Sequence, residues 1–416
     1  DSAPEDEKQR WMHVIMNFQQ YTGPVMAKGF EDTILYIYNR LTSLNEVGSD
    51  PHNFGISKGH FHRFNKLRTE SFPFSLNTTS THDTKRGEDT RARINVLSEI
   101  PTEWEQNLKN WIKINRSKKK KVRQQYAPDY NDEYFLYQTL LGTYTDLGDA
   151  EVYKERIKEY VIKAVREAKV HTAWIKPDNE YEEAFLGFID KIFDRVKNNH
   201  FWDEFVPFHR KISHYGVFNT LTQTLLKMTS PGVPDFYQGT EYWDLTLVDP
   251  DNRRPVDFEK RHRSLDNIRQ AVDNDLEGLI KKLLEQKADG RIKQFLIHRI
   301  LTARNKEADM FLNGSYIPLE CHGKHDNHII AFGRSFEGSY AVIAAPRLMT
   351  GIIREDEMPL GKRIWEDTKI ELPEGFPRNW TDAITGETIR GEDNMFSAGS
   401  LFNSFPCALL LGEEES

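Results

Sequence analysis

Ser80-Thr81-His82-Asp83-Thr84-Lys85-Arg86-Gly87-Glu88-Asp89 places an imidazole, three carboxylates and two cations within ten residues. A polar, Thr-rich approach ends at His82-Asp83, and Lys85, Arg86, Glu88 and Asp89 follow at once. If the approach is a barrel strand, its carboxyl end is where side chains converge on a substrate. An exposed carboxylate beside a histidine there can accept hydrogen bonds from hydroxyl groups of a ligand. Read alone, the same cluster is also a solvated helix start, so other segments have to decide between the two.

Ser230-Pro231-Gly232-Val233-Pro234-Asp235-Phe236-Tyr237-Gln238-Gly239-Thr240-Glu241 reads as a helix stop, a short buried strand and a loop of hydrogen-bonding groups. The charged run Val248–Asp257 follows closely. With Lys28–Thr33, Asn39-Arg40-Leu41 and Ser43–Gly48, these blocks make the chain resemble the maltooligosyl trehalose synthase family of the α-amylase superfamily (glycoside hydrolase family 13). The resemblance covers about residue 25 to the end and resembles the C-terminal portion of that family. It implies an α/β fold followed by β structure: the C-terminal part of a (β/α)8 barrel, a large helical insertion and an antiparallel β-sandwich domain. The implied segments are 1–86 (a late barrel strand and preceding helices), 87–200 (insertion), 201–308 (last barrel helices and strand) and 309–416 (sandwich).

The implied activity is an intramolecular transglycosylation that turns the reducing-end α-1,4 linkage of a maltooligosaccharide into an α-1,1 trehalose linkage. Asp83 maps onto the third carboxylate of the family and His82 onto its neighbour. Lys85 and Arg86 either bind sugar hydroxyls or orient Asp83, and a structural ion pair with Glu88 or Asp89 is equally open. Asp235, Tyr237, Gln238 and Glu241 suit a sugar subsite, and Tyr36 is a stacking candidate for the reducing-end sugar. The loop of Asp249, Asp251, Arg253 and Arg254 either closes over substrate or pairs with itself. No segment here matches the nucleophile Asp or acid/base Glu of the family. This chain alone is therefore expected to be inactive and to need the missing N-terminal half of the barrel, and its start at Asp1 reads as an excised piece. The alternatives are an amylase-type α-glucan hydrolase and a non-catalytic maltooligosaccharide-binding module.

The elements that must position these groups follow from pattern. Helices are expected at 5–20 and 29–43, split by Thr22-Gly23-Pro24, and after Ser57 as N-cap, with Phe61, Phe64 and Leu67 on one side. Phe74–Thr81 is the candidate strand. Residues 87–199 read as helical throughout, with a Thr102/Glu105 capping box before Trp104, Leu108 and Trp111. Further helices are expected at 132–144, 150–168 and 180–198, the last with Tyr181, Phe185, Phe188 and Ile192 as a buried stripe. One or two helices span 203–229, Val233–Tyr237 is a strand, and 292–305 is another helix. Short segments from 309 onward, including 329–332, 340–344, 369–372 and 408–411, read as antiparallel β structure.

A chain of 416 residues with net charge -8 has room for several domains and lacks the basic footprint of a nucleic-acid partner. Lys118–Lys121 is expected to be a solvated linker. Cys321 and Cys407 offer neither a disulfide framework nor metal spacing, which fits a cytoplasmic protein. No apolar run reaches membrane-span length. No cofactor is expected, and His60/His62 are not expected to bind zinc, because residues i and i+2 of a helix point apart and no further ligand follows.

Overall fold

In a computed structural model, residues 4–195 and 199–413 are described. The chain forms two compact units, one of residues 1–52 and 105–206, the other of residues 53–104 and 207–416.

The first unit is almost wholly helical. Its first helix, Glu5–Pro24, carries Glu5, Asp6 and Glu7 in the first turn, where they meet the positive helix end. The expected break at Gly23-Pro24 is absent. Pro24 sits at φ -59, already a helical value, so the chain continues into π-helical Val25–Ile34 and then Leu35–Ile37. What changes is the hydrogen-bond pattern, from α to π. Helices Tyr130–Thr143, Ala150–Ala168 and Asn179–Phe193 lie close to their expected positions, and Asp129, Asp149 and Asp178 cap them with side-chain oxygens. The last ends at Phe193, short of the expected 198; residues 196–198 lie outside the described set. Tyr181, Phe185, Phe188 and Ile192 are buried, as the stripe predicts. Fully buried Trp111 meets Tyr137, Phe201 and Phe205 at ring-centroid distances of 5.5, 5.8 and 5.4 Å.

Two expectations fail between 101 and 127. Helix Pro101–Asn115 starts with proline at its first position, so Thr102 is already inside and cannot cap. The run around Lys118–Lys121 is not a solvated linker. Lys120–Val122 pairs antiparallel with Gln125–Ala127 across Arg123 and Gln124, both at positive φ as a tight hairpin turn requires. Lys119 is buried in an ion pair with Glu133, and Lys118 donates to Asn115 Oδ1 at 2.7 Å. Local charge density suggested solvent, but a distant acid supplied the partner.

In the second unit, Ser57 Oγ accepts from the His60 N–H at 3.2 Å and starts helix Lys58–Ser71. Its Phe64 and Leu67 are 53% and 58% exposed, so the expected stripe is not covered within the described residues. The two expected strands pair directly and in parallel, although each is shorter than expected: Leu76–Asn77 against Val233–Pro234. Helix Phe201–Thr229 is one continuous element. Phe258–Asn274, Leu276–Glu285 and Arg291–Lys306 follow.

The β structure after residue 309 is antiparallel, as its texture predicts. Six strands run in the order Thr388–Arg390, Asn379–Asp382, Ala408–Glu413, Ser339–Pro346, Ile329–Phe336, Ser315–Pro318. A second sheet holds Met395–Ser397, Lys369–Glu371 and Cys321–His322. Leu221, Leu225, Phe295 and Ile300 from two helices join Phe332, Ile343 and Leu409 of the large sheet in one apolar core. Among the described residues no helix is long and apolar enough to cross a membrane.

Candidate functional site

The parallel pair fixes where the two chemical segments emerge. Val233 N–H donates to Ser75 O at 3.0 Å and Asp235 N–H to Asn77 O at 2.9 Å. Asn77 Nδ2 also donates to the Pro231 carbonyl at 3.1 Å, which ties this strand to the stop of the preceding helix. Both chains therefore leave the pair side by side at their carboxyl ends, one towards His82-Asp83 and the other towards Tyr237 and Glu241.

Beyond Asn77 the loop is held by small hydroxyls. Ser80 Oγ donates to Asp244 Oδ2 at 2.9 Å and accepts the Glu88 N–H at 3.0 Å. Thr84 Oγ1 donates to Thr81 O at 2.9 Å, and Thr81 Oγ1 accepts the Asp83 N–H at 3.2 Å. Asn252 Nδ2 donates to His82 O at 3.0 Å, so the second loop grips the first. Gly87 allows their closest approach: its N–H donates to Thr246 O at 2.8 Å, and a Cβ there would lie 2.5 Å from Asp244 O. The result is a fixed backbone presenting two open side chains. His82 and Asp83 side chains are 65% and 62% exposed, with Nε2 to Oδ2 at 3.3 Å.

Under this loop lies a buried network of charge that sequence reasoning did not assemble. Lys293 Nζ meets Glu88 Oε1 at 2.5 Å and Asp89 Oδ2 at 2.8 Å. Lys227 Nζ meets Glu88 Oε2 at 3.4 Å and Thr79 Oγ1 at 2.8 Å. Asp89 also accepts from Thr220 Oγ1 at 2.7 Å and from the Asp244 N–H at 2.6 Å. Burial opposes ionisation of Glu88, yet the Lys293 and Lys227 ammonium groups outweigh it and lower its pKa to about 2. Burial pushes the Asp89 carboxyl up although Lys293 holds it, and the two acids and two lysines are paired inside the protein, where removing a lysine leaves a carboxylate uncompensated. The only sequence signal was the Glu88-Asp89 doublet; its partners lie more than a hundred residues away.

The other expected site residues divide. Asp235 and Tyr237 are half-buried on the second loop, with Tyr237 Oη donating to Asn252 O at 3.4 Å, and Gln238 is exposed. Glu241 is held by Arg261 of helix Phe258–Asn274, Nε to Oε2 at 3.1 Å, which ties the loop to that helix. Lys85 and Arg86 are 5% and 1% exposed, so they lie inside the protein and not at its surface. The ion pairs foreseen between them and Glu88 or Asp89 go to Lys227 and Lys293 instead. Arg253 and Arg254 pair with Asp249 and Asp251, so this loop binds itself. Tyr36 belongs to the other unit and is 5% exposed; a ring so buried offers no stacking face. Near it, Asn45 Nδ2 donates to Leu35 O and Tyr38 O, and Gln138 Oε1 accepts the Thr42 N–H, so the 39–48 blocks seal backbone groups in that unit. His62 Nδ1 lies 2.9 Å from Tyr316 Oη in the second unit, which is a packing role.

A fold of helices with a parallel strand pair, loops converging at its carboxyl end and antiparallel sheets after it defines the class to which the solved relatives also belong. Those relatives are maltooligosyl trehalose synthases. A crystal structure of a maltooligosyl trehalose synthase has a TM-score of 0.77 at 35% identity, covering 99% of this chain and 49% of its own. The enzyme from Arthrobacter ramosus has a TM-score of 0.74 at 32% identity, covering 96% and 46%. A Mycobacterium tuberculosis protein provisionally named maltooligosyl trehalose synthase is 34% identical over 397 residues, 95% of this chain and 45% of its own length. The chain thus spans about half the length of the relatives it matches. No family model matches it.

Proposed function

We propose that this chain is part of an intramolecular transglycosylase that converts the reducing-end α-1,4 linkage of a maltooligosaccharide into an α-1,1 trehalose linkage. One conjunction carries the reading: similarity to maltooligosyl trehalose synthases along nearly the whole chain, and an exposed His82–Asp83 pair just past the carboxyl end of a parallel strand. On this reading the strand pair belongs to a (β/α)8 barrel and the two antiparallel sheets form a β-sandwich. Residues 87–200 are the helical insertion that excludes water while the released glucose turns.

Retaining glycoside chemistry needs a nucleophile and an acid/base carboxyl about 5–5.5 Å apart. Neither is assigned to this chain; both are assigned to the remaining half of the whole protein. Asp83 would accept hydrogen bonds from the 2- and 3-hydroxyls of the sugar at the cleavage point. Such bonds strengthen as the ring flattens towards an oxocarbenium ion, so they favour the transition state over the bound substrate. His82 would donate to the same sugar. Asp235, Tyr237 and Gln238 would line the neighbouring subsite, with Lys85 and Arg86 orienting the Asp83 loop from below. The glucose released from the reducing end would then attack the glycosyl intermediate through its anomeric hydroxyl, forming the α-1,1 bond without net hydrolysis.

The test is incubation with a maltooligosaccharide, with and without the remaining half of the protein made separately. Loss of reducing ends without free glucose, only when both halves are present, is the expected result. A gain of reducing ends and glucose would point to an amylase-type hydrolase. Saturable binding without turnover in either mixture would leave a binding module. Activity from this chain alone would overturn the assignment of the two missing carboxyls.

A further inference from the structure

A groove in the second unit, lined by no residue of the His82–Asp83 loop, combines features that point to a ligand. It encloses about 690 Å³ and runs between helices Phe258–Asn274 and Leu276–Glu285, with Tyr242 and Arg291 at one end. That volume falls in the range of about 300–1,000 Å³ usual for small-molecule sites. Buried Ile268 and Leu283 give it an apolar floor.

Its charges are one-sided. Lys260, Arg263 and Lys282 line it, are exposed, and have no carboxylate in ion-pair range among the described residues. Arg291 is paired with Asp289 at 2.7 Å. The single carboxylate on the lining, Asp275, is committed to capping the next helix, where Oδ1 accepts the Gly278 N–H at 2.9 Å. In a chain of net charge -8, a groove lined by three cations outside any ion pair among the described residues, Lys260 over the Tyr242 ring at 5.6 Å, against one carboxylate is not an average patch.

A second observation is independent of charge. Ser264 also lines the groove and is 9% exposed, yet its Oγ has no hydrogen-bond partner. Ser264 sits within a helix and its neighbours leave the hydroxyl unmatched. A buried hydroxyl without a partner costs free energy that a ligand oxygen would recover.

We infer that this groove binds a small organic anion, a phosphate ester with a ring that lies on the apolar floor. Its oxygens would be held by Lys260, Arg263 and Lys282 and by the Ser264 hydroxyl. The cations supply charge-assisted hydrogen bonds to the phosphate, and Ile268 and Leu283 supply the contact that inorganic phosphate lacks. The groove also borders the buried charge network, because the Tyr242 carbonyl accepts from Lys293 Nζ at 3.2 Å.

The test is calorimetric titration of the chain with phenyl phosphate, with inorganic phosphate and phenol as separate probes. Saturable one-to-one binding of phenyl phosphate is expected, at least about tenfold tighter than either fragment, since one tenfold step is only 1.4 kcal/mol. The double variant Arg263→Glu/Lys282→Glu should weaken it by about a hundredfold, two charge-assisted contacts being lost. Ser264→Ala should weaken it by about fivefold while leaving thermal stability unchanged or higher, because the orphan hydroxyl is gone. Binding that is equal for inorganic phosphate, unaffected by the double variant, or absent would overturn the site. None of these outcomes depends on transglycosylase activity, so this inference and the proposed function fail separately.

Discussion

Asp83 and Lys293 carry opposite kinds of prediction. Asp83 is exposed and held only through its backbone and His82, so Asp83→Asn should leave the urea midpoint unchanged. In the enzyme assembled from both halves, the same change should lower kcat by about a hundredfold or more with little effect on KM, because its bonds strengthen in the transition state. A selective rise in KM would mean that Asp83 binds the ground state instead. Lys293 touches no candidate substrate group but neutralises Glu88 and Asp89 inside the protein. Lys293→Met should cost about 3–5 kcal/mol in urea unfolding, the usual penalty for stranding a buried charge. A loss below about 1 kcal/mol would show that solvent reaches the network. Lys85 and Arg86 show why residue type alone misleads here: cations two and three positions after an active-site candidate look like ligands, yet both are buried.

At the scale of elements, the strand pair is the hinge of the arrangement. Gly232 has φ +118, and a Cβ on it would lie 2.6 Å from Ser75 O, the acceptor for Val233 N–H. Gly232→Ala therefore both strains the backbone and pushes the two strands apart. Stability should fall by more than about 1 kcal/mol, and amide exchange at Val233 and Asp235 should speed up before that of helix Arg291–Lys306. Unchanged exchange at those two amides would show that the pair does not need this close approach. The hairpin at 120–127 teaches the converse. Its Lys-rich sequence has weak strand preference and its turn holds Arg123 and Gln124 at positive φ, unfavourable for residues other than glycine, so its surroundings, the Lys119–Glu133 pair among them, set it in place.

For the whole molecule, the response to acid is set by buried groups of opposite sign. His214 lies on helix Phe201–Thr229, half-buried, with Nε2 3.0 Å from the Glu357 carbonyl. Burial, aided by Lys287, lowers its pKa to about 4 from 6.5. An unfolded chain would take up that proton between pH 6.5 and 4 while the folded protein does not, so stability falls as pH falls through this window. Glu88, lowered to about 2 from 4.5, adds a loss in the same direction below pH 4.5. Burial pushes the Asp382 and Asp132 carboxyls up to about 7 and about 6, so their protonation stabilises the fold over the same window and opposes His214. His214→Gln should therefore remove a losing contribution and give the urea midpoint a more upward slope from pH 7 to 5 than in the parent. The same slope in the variant and the parent would remove His214 as a contributor.

The sequence by itself determined whatever depends on neighbours along the chain. Apolar spacing set Tyr181, Phe185, Phe188 and Ile192 inside, Ser57 started a helix, and the short segments after residue 309 made antiparallel strands. It also placed His82-Asp83 and the Asp235–Glu241 loop directly after the two strand segments. Tertiary structure decided which of the charges face solvent. Lys227 and Lys293 come from separate helices to neutralise Glu88 and Asp89, Arg261 takes Glu241, and Tyr36 is enclosed in the other unit. A local pattern fixes period and turn, but the free energy of a charge depends on its solvation and on partners brought near only by folding.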